Sequence, residues 1–214
     1  MLKQLKQITL LMLAVLFFSF CASYAQEVDE DFSSKGLEYF RAGDYDKAIS
    51  SLSKAIKSNS KGTDNYAALG YSYLQKNQLE DALDAYNKTI DLDPNHASAY
   101  LYRGYIFLIK SKLDLALLDF NKEIELNGNN EMVYIYRGQI YGKWGKNDHA
   151  IEDFNKAIQI NPGNALAFYN RGFIYLMKND YDKCWEDVHK VESLNGKIDP
   201  KFLSVLKILS KKDK

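Results

Sequence analysis

A chain of 214 residues with 28 basic and 28 acidic side chains carries no formal net charge, which excludes the basic excess of a nucleic-acid footprint. Its two cysteines, Cys21 and Cys184, exclude a disulfide framework and a cysteine-rich zinc site. Tyr (16) and Phe (11) are abundant, whereas only 3 Pro occur, which favours long uninterrupted helices.

The first 25 residues read as a targeting segment, not as part of the fold. Lys3 and Lys6 open it, Ile8 to Phe20 runs without a charge, and Ser23-Tyr24-Ala25 puts small residues where a signal peptidase reads. The run is too short for a comfortable membrane span of about 20 residues, so the layout is that of a secretory signal. Cleavage after Ala25 is expected. The mature chain from Gln26 then has 26 basic and 28 acidic residues, a formal charge of −2. Two alternatives stay open: lipidation at Cys21, which the preceding Phe18-Ser19-Phe20 disfavours, and an uncleaved anchor. After cleavage Cys184 would be the sole cysteine, with no intrachain pairing to make in an oxidising compartment.

Beyond this segment a glycine recurs every 34 residues, at Gly36, Gly70, Gly104, Gly138 and Gly172. Its surroundings recur too. Tyr-Arg-Gly-Tyr-Ile-Phe (102–107) answers Tyr-Arg-Gly-Gln-Ile-Tyr (136–141), and Ala-Leu-Leu-Asp-Phe-Asn-Lys (116–122) answers Ala-Ile-Glu-Asp-Phe-Asn-Lys (150–156). Such a period marks a stacked repeat architecture. Counted from seven residues before each glycine, the repeats are 29–62, 63–96, 97–130, 131–164 and 165–198.

Each repeat reads as two antiparallel helices. On the first, large residues stand four before and three after the glycine: Phe32 and Tyr39, Tyr66 and Tyr73, Tyr100 and Phe107, Tyr134 and Tyr141, Phe168 and Tyr175. A spacing of seven puts both on one helical face. Polar turns follow, such as Ala42-Gly43-Asp44 and Lys178-Asn179-Asp180. The second helix has a small residue at Ala48, Ala82, Ala116, Ala150 or Cys184, and four residues on a larger one at Leu52, Tyr86, Phe120, Phe154 or Val188. Glycine on one helix and alanine on the other are expected to let the backbones approach, with aromatics filling the space around them. Pro94 and Pro162 end two of the second helices.

These positions closely resemble those of the tetratricopeptide repeat family, whose aromatic, Gly, Tyr, Ala, Phe/Tyr, Ala and Pro pattern recurs here five times in register. The resemblance implies an all-α, right-handed superhelical solenoid of five helix pairs, with a concave inner face and a convex outer one. Departures are visible. Ser33-Ser34 are weak helix formers beside Phe32, and repeat 5 has Cys184, Val188 and Val191 where Ala, an aromatic and Ala are usual. Thr89 and Glu123 replace the second small Ala, and Glu123 there is costly unless paired. After Gly196 a capping helix is expected from Pro200 to about Lys211, with Phe202, Leu203, Leu206 and Leu209 covering the apolar side of repeat 5. Residues 199–214 thus form a cap and a solvated basic tail.

One correlation lies within the chain. Arg103, Arg137 and Arg171 each precede the glycine, and Asp119, Asp153 and Asp187 each follow sixteen residues later. Repeats 1 and 2 have neither member, holding Lys35 and Ser51, and Leu69 and Ala85. A ladder of partly buried ion pairs is expected, within repeats or between neighbours, because arginine's planar fork binds a carboxylate through two hydrogen bonds. Shared descent of recently duplicated repeats is the alternative.

The sequence offers no chemistry. His96, His149 and His189 fall at three different repeat positions, and no helical zinc spacing, phosphate loop or nucleophile motif occurs. No catalytic residue, metal, cofactor or small-molecule substrate is expected, and the protein reads as a non-enzyme.

The resemblance also implies where a partner would bind, since the family's concave groove is lined mainly by first helices. The corresponding positions hold Tyr71, Leu101, Tyr105, Ile109, Met132, Ile135, Gln139, Tyr169, Phe173 and Met177. This groove is aromatic and aliphatic. It lacks the Lys, Arg and Asn with which the family's carboxylate clamp grips a peptide end, so an apolar extended or helical peptide is the expected partner. The reading is an exported interaction module, periplasmic or secreted from a bacterium. The alternative is a self-associating subunit of a cell-envelope assembly. Membrane contact is expected only during export or through a lipid on Cys21.

Overall fold

The computed structural model describes residues 31–58 and 62–211. The expected signal segment, Cys21 and the last three tail residues lie outside the described residues. All regular structure among the described residues is α-helical. Helix α1 spans 31–41, and it is followed by α2 (Tyr45–Lys57), α3 (Thr63–Gln75), α4 (Leu79–Leu92), α5 (Ala97–Ile109) and α6 (Leu113–Leu126). Helices α7 (Glu131–Lys143), α8 (Asn147–Ile160), α9 (Ala165–Met177), α10 (Tyr181–Ser193) and α11 (Pro200–Ser210) complete the chain.

The helices fall into two compact units, one up to Pro94 and one from Asn95. In the first, α3 packs against α4, its partner within the repeat, and against α2 of the repeat before. In the second, α5–α6, α7–α8 and α9–α10 are hairpins. There each second helix also packs on the first helix of the next repeat, and α5, α7 and α9 lie side by side. Helix α11 closes the series against α10.

Local chemistry sets the boundaries. All five turns within hairpins pass through a left-handed residue, and four of these residues are of types that tolerate positive φ: Gly43 and Asn77 in the first unit, Gly145 and Asn179 in the second. Ser111, at φ 56°, occupies the same turn of repeat 3 without that tolerance. Asn130 and Asn164 cap α7 and α9 by accepting from the Met132 and Leu166 amides. Asp199 caps α11 through the Lys201 amide, with Pro200 in its first turn. Ser33 and Ser34 do not delay α1, which is already helical at residue 31, and Ser33 donates a 2.8 Å hydrogen bond to Asn65 on α3.

The glycines correct the expected packing. A methyl group at Gly104 would lie 2.8 Å from Phe120 and at Gly138 2.7 Å from Phe154. The bare Cα therefore faces the aromatic ring sixteen residues on, not the small alanine. Phe120 and Phe154 are buried, each contributing roughly 1.5–3 kcal/mol of transfer free energy. The alanines Ala116 and Ala150 belong to the same core cluster.

Helix α11 covers the end as expected through Phe202, Leu203 and Leu206, but Leu209, expected on the covering face, is 46% exposed. Phe202 and Leu206 join Leu176, Cys184, Trp185 and Val188 in one cluster, and the Trp185 indole donates to Ser210 at 3.0 Å. Its far side leaves Val205, Ile208 and Leu209 exposed.

Candidate functional site

The three arginines occupy one repeating environment in the second unit. Arg137 Nε donates to Asp153 Oδ2 at 2.9 Å and its second amino nitrogen to Oδ1 at 2.7 Å. Arg171 grips Asp187 at 2.9 and 2.6 Å, and Arg103 grips Asp119 at 2.8 and 2.7 Å. The pairs lie within repeats. The link between repeats is an asparagine: the remaining amino nitrogen of Arg137 donates to Asn121 at 2.8 Å, and that of Arg171 to Asn155 at 2.6 Å. These asparagines stand in the Asp-Phe-Asn triplets already visible in the sequence, where they passed unnoticed because their partner lies in the following repeat.

The aromatics at spacing seven sandwich these guanidinium groups. Arg137 lies 5.7 Å from the Tyr134 ring centre and 5.8 Å from that of Tyr141. Arg103 sits likewise between Tyr100 and Phe107, and Arg171 between Phe168 and Tyr175. Burial pushes the Asp153 and Asp187 carboxyls above the ordinary aspartate value, against the pull of their arginines. Burial is the largest influence and opposes the guanidinium charges, but the hydrogen bonds and the charge of the aspartates together outweigh it and hold Arg137 and Arg171 above the ordinary value. The paired fork geometry is that of two charged partners.

The expected groove residues do not share one environment. Leu101 and Ile135 are corrected: both are buried in the core cluster of the second unit and offer a partner no surface. Their position, three before the glycine, faces the neighbouring helix once the repeats stack. Tyr71, in the first unit, packs edge-on against Phe40 at 5.6 Å and beside Tyr45. In the second unit Tyr105 packs on Tyr136 at 5.0 Å, and Tyr136 stacks on Phe120 at 5.7 Å. Burial pushes the Tyr136 phenol up to about 12. Tyr169 and Phe173 lean on Phe202 of α11. Met132 is half-buried and its sulfur accepts from the Asn164 amide. Three side chains stay open: Ile109 is 47% exposed, Phe173 46% and Met177 63%.

Between α7 and α9 lies a pocket of about 410 Å³. Phe154 and Ile174 line its apolar part, and Phe173 flanks it. Gln139 and Asn170 lie on its polar side, joined by a 3.3 Å hydrogen bond, and Gly142 and Lys143 complete the α7 wall.

Two groups outside this face stand out. Glu123 is buried, and its Oε1 accepts from Asn127 at 3.2 Å while Oε2 has no hydrogen-bond partner. Burial raises its carboxyl above the ordinary value. Cys184 is a buried free thiol that burial pushes up to about 12. Among the described residues no group of three or more His, Cys, Asp or Glu is placed to hold a metal ion, and no helix is long and apolar enough to cross a membrane.

Comparison with known families gives one consistent result. Tetratricopeptide repeat models match residues 33–61 and 67–131, and a TPR repeat model matches residues 138–179. The chain carries tetratricopeptide repeats. No curated protein matches it. Among solved structures, this tetratricopeptide chain is similar to a crystal structure of MamA, with 27% identity, TM-score 0.68, and coverage of 75% of this chain and 94% of that one. MamA from Desulfovibrio magneticus RS-1 matches at 20% identity and TM-score 0.71, covering 78% and 95%. YrrB, described as a TPR protein with an unusual peptide-binding site, matches at 21% identity and TM-score 0.67, covering 85% and 91%. The two lower identities speak to the fold alone.

Proposed function

We propose that this protein is an exported, non-enzymatic interaction module that holds a protein or peptide partner on the first-helix face of its second unit. The observation that carries the reading is the exposure of Ile109, Phe173 and Met177 on α5 and α9. Large apolar side chains left open on the first helices are the kind of surface that partners cover. The tetratricopeptide repeats support the same reading, and peptide binding is a stated property of YrrB. Export, to a bacterial periplasm or beyond, rests on the layout of residues 1–25. The partner segment is mainly apolar, because α5, α7 and α9 carry one acid, Glu131, and one lysine, Lys143, and their arginines are engaged by aspartates.

The test is affinity capture from the native host, read by mass spectrometry, with residues 26–214 as bait beside the same bait carrying Ile109→Arg and Met177→Arg. Both positions are open, so the variant keeps its fold. Partners lost from the variant support the proposed face. Identical capture by both baits overturns it and moves binding to the opposite face or to α11.

Self-association is a second reading, favoured by the exposed Val205, Ile208 and Leu209 on α11. Light scattering coupled to size-exclusion chromatography decides it, and a monomer across the accessible concentration range removes it.

A further inference from the structure

The repeat register explains the pocket between α7 and α9. Four residues after the repeat glycine stand Phe40, Leu74, Leu108 and Leu176, but repeat 4 has Gly142. Two residues before it, repeats 3 and 4 have Tyr102 and Tyr136, but repeat 5 has Asn170. At the junction of α5 and α7 the corresponding space is filled by Leu108 and Tyr136, both packed against the core, and the Tyr136 ring stacks on Phe120. At the junction of α7 and α9 both fillers are missing, and the ring equivalent to Phe120 is Phe154, which lines the pocket. Gly142 is not demanded by a close backbone: a methyl group there would meet only the Cδ1 tip of Ile174.

We infer that this pocket receives an aromatic side chain of the partner protein, seated against the exposed Phe173 ring above the buried Phe154, with an acidic residue of the partner beside it on Lys143. The inference rests on the interaction function proposed above and names the anchor of that site. The shape argues for a ring, since the missing fillers are a tyrosine ring and a leucine. Gln139 uses its amide nitrogen to bond Asn170, leaving its carbonyl oxygen to accept a hydrogen bond from a phenol or a peptide N–H. Charge argues for the acid. Lys143 is exposed at the pocket, and the three first helices around it hold no acid besides Glu131, whose carboxylate is engaged by Asn161. A desolvated aromatic anchor beside a rim charge is the usual anatomy of a dominant contact.

The probe is the capped dipeptide acetyl-Tyr-Asp-amide, titrated into the ¹⁵N-labelled full chain, with acetyl-Ala-Asp-amide and acetyl-Tyr-Lys-amide as controls. The expected result is movement of the Gly142, Phe173 and Ile174 amide signals by the first probe, with at least about tenfold weaker binding of either control. Gly142→Leu restores the filler of repeats 2, 3 and 5 and should abolish the response. Gly142→Ala, which adds one methyl against a mobile side-chain tip, should weaken it while keeping the fold. Lys143→Glu should reverse the preference between the Asp and Lys probes. Equal binding of the Ala and Tyr probes, or an undiminished response in Gly142→Leu, overturns the inference. So does dimerisation that Gly142→Leu abolishes, because the occupant is then a second copy. If the captured partners are lost on Ile109→Arg with Met177→Arg yet kept by Gly142→Leu, the interaction function stands and the anchor alone fails.

Discussion

Removing both partners of the Arg137–Asp153 pair should cost less than the sum of the two single losses. The Asp153 side chain is 6% exposed and that of Arg137 20%. Arg137→Met strips both donors from a buried carboxylate, a loss of two charge-assisted hydrogen bonds and a cost of about 3–5 kcal/mol. Asp153→Ala leaves a guanidinium that keeps Asn121 as acceptor, two ring faces and some solvent, so about 2–3 kcal/mol is expected. The double variant leaves no stranded charge and should fall short of the summed single losses by about 2 kcal/mol or more. Guanidinium denaturation of the four proteins, followed by far-ultraviolet circular dichroism, measures this coupling. A value below about 0.5 kcal/mol would refute the reasoning. It would mean that the two residues recur by descent and not because each requires the other.

Three further outcomes are expected. Glu123→Gln should raise stability by about 1–2 kcal/mol at pH 7 and change little near pH 4. The carboxyl is raised in the folded state, so its contribution is complete below the ordinary glutamate value and is lost as pH rises through the folded one. Equal stabilities at pH 7 would contradict the stranded Oε2. Gly138→Ala should cost about 1–3 kcal/mol despite a better helix propensity, because the new methyl meets the buried Phe154 ring at 2.7 Å. Gly172→Ala, whose nearest obstacle is Asp187 Cβ at 3.2 Å, should be visibly milder, and equal losses in thermal melts would refute the ring-on-glycine account. The Cys184 thiol should resist Ellman's reagent at pH 8 while folded and react at once in denaturant, since burial holds it near 12. Rapid native reaction would show that α11 does not stay closed over it.

The long-period features were legible because each repeat carries its own copy. The first helices begin at Thr63, Ala97, Glu131 and Ala165, the residues at which the period alone starts its repeats. The pairing of Arg with Asp could be inferred from their joint presence and absence, and the cap from the apolar spacing after Pro200. Which side of a first helix a partner could reach was less legible. Leu101 and Ile109 lie eight residues apart on α5, yet the first is buried and the second is 47% exposed.

The sequence by itself determined the helix pairs, their turns and their order, because glycine, aromatic and cap positions act within a few residues or one period. Tertiary structure alone decided four things. It turned Gly104 and Gly138 toward a ring rather than an alanine, and it carried the arginines across to Asn121 and Asn155. It buried Leu101 and Ile135. It also opened a pocket where Gly142 and Asn170, unremarkable in their own helices, come to face the same ring. The physical reason is that burial and cavity volume are sums over neighbours, and around residues such as Phe154 those neighbours come from more than one repeat.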